Sequence, residues 1–254
     1  MTVAAGSESI MKPLEQFELH TVFSALGASV NFTQSNLMMV LSCALILTLL
    51  YAGAKPRAVV PGRLQGAAEM AYDFVYNLAV DQIGPEGKRF FPFVFSLFFF
   101  VLMGNVLGLV PFSFTYTSHI AVTGALALLV FALITVVALW EHGLHFFSYF
   151  FPAGAPKLLA PLIIPIEILS YLSRPVSLSI RLFANMVAGH VMFAVFATFV
   201  VMLGSAGGIL LLGAAGPLAL NVILTGFELL VAALQAYVFA VLTCIYLHDA
   251  VHLH

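Results

Sequence analysis

Apolar positions dominate this chain, and the few places where polar residues gather divide it into segments. Residues 37–54, LMMVLSCALILTLLYAGA, carry no charge. Their length approaches the ~20 residues a helix needs to cross ~30 Å of hydrocarbon, so a first spanning helix is assigned to 36–54. From 64 to 83 the pattern changes: Ala68, Tyr72, Val75, Tyr76 and Ala79 recur at helical spacing, with Glu69, Asp73, Asn77 and Asp81 on another side. This periodicity predicts an amphipathic helix lying at the membrane interface. No charged residue occurs between Phe90 and Trp140, a run too long for one span, and PFSFTYTSH at 111–119 interrupts it. Two spanning helices, 90–111 and 119–141, result. Two further apolar helices, 162–203 and 209–248, are separated by GSAGG.

The last two segments are about 40 residues each, and at 1.5 Å per residue such a helix is about 60 Å long, twice the hydrocarbon thickness. Each is therefore either broken, with Pro175 and Pro217 the obvious places, or steeply tilted as part of an antiparallel pair. The fold class expected is an all-α integral membrane protein. It comprises one N-terminal transmembrane helix, the interfacial helix, a transmembrane hairpin and the long C-terminal pair. Residues 1–35 form an N-terminal extramembrane segment, and 36–254 a single membrane domain. Gly104 and Gly108 form a small-xxx-small pair that allows a neighbouring helix to approach closely.

Composition agrees with this division. Of the 254 residues 62% are hydrophobic and 8% charged, values outside the range of ordinary globular domains. A net charge of -2 excludes a basic nucleic-acid surface; the lipid bilayer is the medium in which partners are to be sought. Lys55, Arg57, Arg63, Lys88 and Arg89 are five of the nine basic residues and flank one surface. By the positive-inside rule that surface is cytoplasmic, which puts the N-terminus outside and the C-terminus in the cytoplasm. Trp140, His142, His145 and Tyr149 mark a return to the same interface. The first residues carry Glu8, Glu15 and Glu18 and lack the basic start and apolar core of a secretory signal. Cys43 and Cys244 both lie in apolar runs and read as inert thiols.

Against this background the intramembrane polar residues stand out. Arg181 is followed by no Lys, Arg, Asp or Glu until Glu228. Even on the mildest insertion scale a central arginine costs about 2.5–3.5 kcal/mol. Snorkelling to the headgroups is an alternative, but Arg181 lies about 20 residues from either end of its run, beyond a side chain's reach. Glu167, Arg174 and Arg181 are spaced by seven, returning to within about 20° of one face. Ser170, Ser177 and Asn185 extend this polar stripe, which faces either protein or water. Arg174, close to the cytoplasmic end, also reads as a simple interfacial anchor.

His190 lies nine positions beyond Arg181 and points the opposite way. On the following helix Glu228 and Gln235 share a face. With the chain turning at GSAGG, His190 and Glu228 come to comparable heights. A histidine and a poorly solvated carboxyl group at one level suit a proton relay, with a structural hydrogen bond as the alternative. His142, His145, His248, His252 and His254, with Asp249, have metal-ligand spacings but lie at interfaces where solvated histidines are ordinary; no metal site is assigned.

The stretches SLSIRLFANMVAGH (177–190) and LLVAALQAYVFAVLTCIYL (229–247), together with FVLMGNVLGLVPF (100–112), resemble the subunit a family of F-type ATP synthases. The resemblance covers the membrane chain and leaves out the first 35 residues. It implies a non-catalytic stator subunit that offers two offset proton half-channels to a rotating ring of c subunits. It further implies peripheral-stalk b subunits and the rest of the synthase as partners, no cofactor, and residence in a bacterial inner membrane, or alternatively a mitochondrial one. Arg181 resembles the family's essential gating arginine. Asn185, His190, Glu228 and Gln235 resemble residues of the outer proton path, and Glu167 the acid of the inner path, to which the stripe residues Ser170, Arg174 and Ser177 are assigned. Many bacterial relatives have glutamate at the place of His190 and histidine at that of Glu228, so the pair is exchanged here. A proton-coupled secondary transporter is the competing function; it predicts an inverted internal repeat, and none is visible. The chain has no G-x-x-x-x-G-K nucleotide loop and no nucleophilic triad.

Overall fold

A computed structural model of the chain describes residues 21–25, 30–54, 61–110, 113–151, 159–208 and 210–252. Glu8, Glu15 and Glu18, the basic Lys55 and Arg57, the 152–158 connection and His254 lie outside these residues. Two short strands, Thr21–Ala25 (β1) and Val30–Thr33 (β2), pair antiparallel ahead of the first helix. The helices are Gln34–Ala54 (α1), Arg63–Ile83 (α2), Gly87–Gly108 (α3), Ile120–His142 (α4), Ala160–Ala206 (α5), Leu210–Gly213 (α6) and Ala215–Val251 (α7). Among the described residues α1, α3, α4, α5 and α7 are long and apolar enough to cross a membrane. The helical membrane fold expected from hydropathy is therefore present, preceded by a hairpin that the helix-period reading did not reveal.

Helices α3, α4, α5 and α7 pack around one apolar core that includes Val94, Val101, Val130, Ile134, Leu178, Leu182, Phe239 and Leu247. Helix α2 contributes Val75, Leu78, Ala79 and Ile83 to it. Their i, i+3, i+4 spacing is that of one buried helical stripe, while Glu69, Asp73, Asn77 and Asp81 are exposed. Tyr72, placed on the apolar stripe by periodicity, is instead 48% exposed and edges against Phe91 at 4.7 Å.

The two long segments resolve differently. Helix α5 runs 47 residues without interruption through Pro165 and Pro175, about 70 Å at 1.5 Å per residue. Proline removes one backbone donor and crowds the preceding turn. The helix nevertheless continues, because Tyr171, Pro175, Leu178, Ser179 and Leu182 are all buried and the neighbouring helices hold that turn in place. The second segment does break, at Ala214 between α6 and α7, with Pro217 in the first turn of α7. Between α5 and α6 the chain reverses at Gly207 and Gly208, whose φ angles of 69° and 61° lie in the left-handed region that a side chain disfavours.

Gly104 and Gly108 also have a different neighbour from the helix expected. A Cβ on Gly104 would lie 2.5 Å from the ring tip of Tyr116, and one on Gly108 would collide with the Thr115 side chain. The small residues thus admit the α3–α4 connection into the protein. Thr115, Tyr116, Thr117 and Ser118 are buried, and Tyr116 donates to the Phe100 carbonyl at 2.8 Å. Tyr116–Ser118 form a single 3-10 turn there.

Candidate functional site

The polar residues of α5 and α7 meet where the two helices pack. Asn185 Nδ2 donates to Gln235 Oε1 at 2.7 Å, joining the helices directly. One turn further along α5, Gly189 faces Glu228, and a Cβ at 189 would overlap the carboxyl group. Glu228 and Gln235 are 5% and 4% exposed, although the surrounding faces of their helix carry exposed Phe227, Leu229, Leu230 and Leu234. The seven-residue spacing puts both polar groups, with Ala232 between them, on the inward stripe. Beside them a cleft of about 250 Å³ is lined by Asn185, Gly189, Met192, Phe193, Leu224 and Glu228, among others.

Hydrogen-bonding capacity in this region is unfilled. Both carboxyl oxygens of Glu228 and the amide nitrogen of Gln235 are buried and make no hydrogen bond among the described residues. Such groups are costly unless they meet water or a proton. His190 does not bond to Glu228. Its Nε2 lies 2.8 Å from Thr115 Oγ1 in the buried connection. The structure thus brings Asn185 and Glu228 to one cleft, ties Gln235 to it through Asn185, and leaves His190, the residue after the cleft-lining Gly189, outside the lining.

Two residues of this region were not singled out by sequence reasoning. Thr115 touches His190, and Asn105 of α3 donates from Nδ2 to the Ala232 carbonyl at 3.2 Å while fully buried. A lone asparagine inside the apolar run FVLMGNVLGLVPF was the available signal for Asn105. Thr115 had none beyond its place in a polar interruption.

Arg181 does not line the cleft but lies one helical turn before Asn185, which does. It is exposed on the outer face of α5 together with Ser177, Ile180, Ala184, Asn185 and Ala188. It has no ion-pair partner among the described residues. Counted along the axis it is about 32 Å from the start of α5 and about 38 Å from its end. On the same stripe Ser170 and Ser177 are exposed and Glu167 is half-buried.

Arg174 is held differently. It lies 3.4 Å from Asp249 and stacks its guanidinium over Tyr246 at 4.9 Å and Tyr171 at 5.6 Å. The nearby histidines bind backbone. His142 Nε2 is 3.1 Å from the carbonyls of Ala250 and Val251, and His248 Nδ1 is 3.3 Å from that of Ile83. These contacts fasten the ends of α2, α4 and α7 together, and no cluster of metal-ligating side chains occurs among the described residues.

Comparison with known proteins decides what this arrangement belongs to. Residues 36–248 match the family described as ATP synthase A chain. This chain is a member of that family. It is 66% identical over 250 residues to the ATP synthase subunit a of Granulibacter bethesdensis, a match covering 98% of this chain and 100% of the relative. It is 62% identical over 249 residues to that of Gluconacetobacter diazotrophicus, covering 98% and 99%. To that of Rhodospirillum rubrum it is 51% identical over 244 residues, covering 95% and 99%. All the residues of the α5–α7 cleft and the α5 stripe fall within the span shared with the ATP synthase A chain family.

Proposed function

We propose that the α5–α7 cleft is the outer proton path of a rotary ATP synthase and that Arg181 is the gate separating it from an inner path along Glu167, Ser170, Arg174 and Ser177. As a member of the ATP synthase A chain family, the chain is a subunit of the proton-translocating membrane sector and a multi-pass inner-membrane protein. The observation that carries the finer reading is the position of Arg181. A guanidinium exposed at mid-length of a 47-residue, largely apolar helix requires a partner in the membrane, because lipid offers it no compensation.

A ring of c subunits bearing carboxyl groups at bilayer depth supplies that partner. Arginine keeps its proton at any relevant pH, so Arg181 cannot relay. It attracts each deprotonated carboxylate that passes and repels a proton moving directly between the two paths. Protons therefore travel on the ring, and ~2.3 kcal/mol per charge per 100 mV of membrane potential becomes available for rotation. Glu228 and His190 take up and release protons at the outer path, while Asn185 and Gln235 line it with groups that hydrogen-bond water. Peripheral-stalk b subunits hold the chain against the turning ring, with the N-terminus outside and the C-terminus in the cytoplasm.

The deciding experiment is Arg181→Ala in the assembled synthase reconstituted in liposomes. Proton-driven ATP synthesis is expected to vanish while the complex retains its subunit composition. Unchanged synthesis at normal assembly defeats the gate.

A further inference from the structure

We propose that Thr115 is a positioning residue for His190, the residue after the cleft-lining Gly189, holding the imidazole against the α3–α4 connection in both of its protonation states. Oγ1 of Thr115 and Nε2 of His190 are 2.8 Å apart, joining residues 75 positions distant in the chain. Thr115 is only 5% exposed. The inference rests on the reading of His190 as a proton-relay group.

The threonine is itself fixed from several sides. Its side chain occupies the space left by the missing Cβ of Gly108. Its carbonyl accepts from Ser118 Oγ at 2.5 Å and from the Ser118 amide at 3.2 Å. The next residue, Tyr116, fills the place beside Gly104 and is tied to the Phe100 carbonyl. Thr115 therefore cannot leave His190 without unpacking the connection from α3.

A hydroxyl suits this task because it both donates and accepts. Toward a neutral ring with a lone pair on Nε2, Thr115 donates. Toward a ring that carries hydrogen on Nε2, the hydroxyl rotates and accepts. One contact is thus satisfied before and after proton transfer, and the ring keeps its orientation throughout. Valine has the same shape but offers neither half of the exchange, so this contact is lost. Serine retains both.

The test uses the complete synthase in liposomes, with proton flow followed by an internal pH indicator across a pH series, for Thr115→Val, Thr115→Ser, His190→Ala and the Val/Ala double variant. Thr115→Val is expected to assemble normally, to conduct about three- to tenfold more slowly and to show a displaced flow–pH profile. Thr115→Ser is expected to keep the parental profile, and Thr115→Val to add nothing once His190 is alanine. Thr115→Ala, which brings no new bulk to the Gly108 contact, repeats the measurement should valine impair assembly. Parental flow and profile in Thr115→Val beside a slow His190→Ala overturn this inference alone. So does a loss in Thr115→Ser equal to that in Thr115→Val, because packing and not the hydroxyl is then what matters. Full flow in His190→Ala removes the relay reading, and this inference with it.

Discussion

The side-chain amide of Asn185 donates to Oε1 of Gln235 across 2.7 Å, one direct polar link between α5 and α7. Gln235 is 4% exposed and its own amide nitrogen has no partner among the described residues, whereas Asn185 lies on the exposed face that also carries Arg181. The bond therefore connects a buried polar group of α7 with the exposed face of α5. Polar groups that reach from a buried position to an open face are what a proton needs in order to pass between the two.

Breaking this bond from either side is expected to slow proton flow. Gln235→Leu leaves the Asn185 amide without its acceptor, and Asn185→Leu leaves the Gln235 carbonyl without its donor. Since both changes remove the same contact, the double variant should lose less than the sum of the singles, with a coupling of ~1 kcal/mol. Flow in liposomes and the thermal midpoint of the purified synthase, measured for all four members of the cycle, check it. Strict additivity in both measurements contradicts a shared role.

Gly189 makes a second, sharper prediction. A methyl group there overlaps the carboxyl of Glu228, but that carboxyl is the end of a flexible side chain beside a cleft of about 250 Å³. Gly189→Ala should therefore assemble, with Glu228 displaced. A displacement of about 1 Å at a reacting group costs up to ~100-fold in rate, so proton flow is expected to fall between ~10- and ~100-fold. Shortening the acid with Glu228→Asp in the same chain should recover part of the flow, whereas Glu228→Asp alone should lower it. The four flows decide the matter.

How far these relationships could be read in the sequence depends on which force set each one. The spanning helices and Arg181 were legible because lipid imposes a coarse rule: long apolar runs span, and a charge within one is exceptional. Helical spacing put Glu228 and Gln235 on one face and Asn185 on the stripe of Arg181, while the grouping of the three came only from the family resemblance. What could not be read was decided by shape. Gly104 and Gly108 have the spacing of a helix contact, but the absent side chains admit Tyr116 and Thr115. Pro175 looks like a break, yet burial on both sides keeps α5 continuous across it. His190 shares a level with Glu228, but its ring turns to Thr115. Periodicity gives the direction of a side chain and not what has been folded into its path.

His119 supplies a prediction outside the spans. It caps α4, where its carbonyl accepts the Val122 and Thr123 amides, and its ring stacks on Phe114 with centroids 5.1 Å apart. Nε2 is buried without a hydrogen-bond partner among the described residues, and burial lowers its pKa from the ordinary 6.5. The folded protein therefore resists protonating this ring, while the unfolded chain accepts a proton readily once the pH falls below about 6.5. Between the two values the unfolded state binds more protons, so stability rises with pH across that interval and is lost as the pH falls through the folded pKa. Above about 7 the contribution is complete and constant. Replacing His119 with glutamine removes the titration and keeps a polar side chain of similar reach. The thermal midpoint of the purified synthase, followed from pH 5 to 8, should then decline less steeply on the acid side in His119→Gln than in the parent, with the two curves parallel above pH 7. Equal slopes below pH 6.5 mean that His119 is solvated and protonates as freely in the fold as out of it.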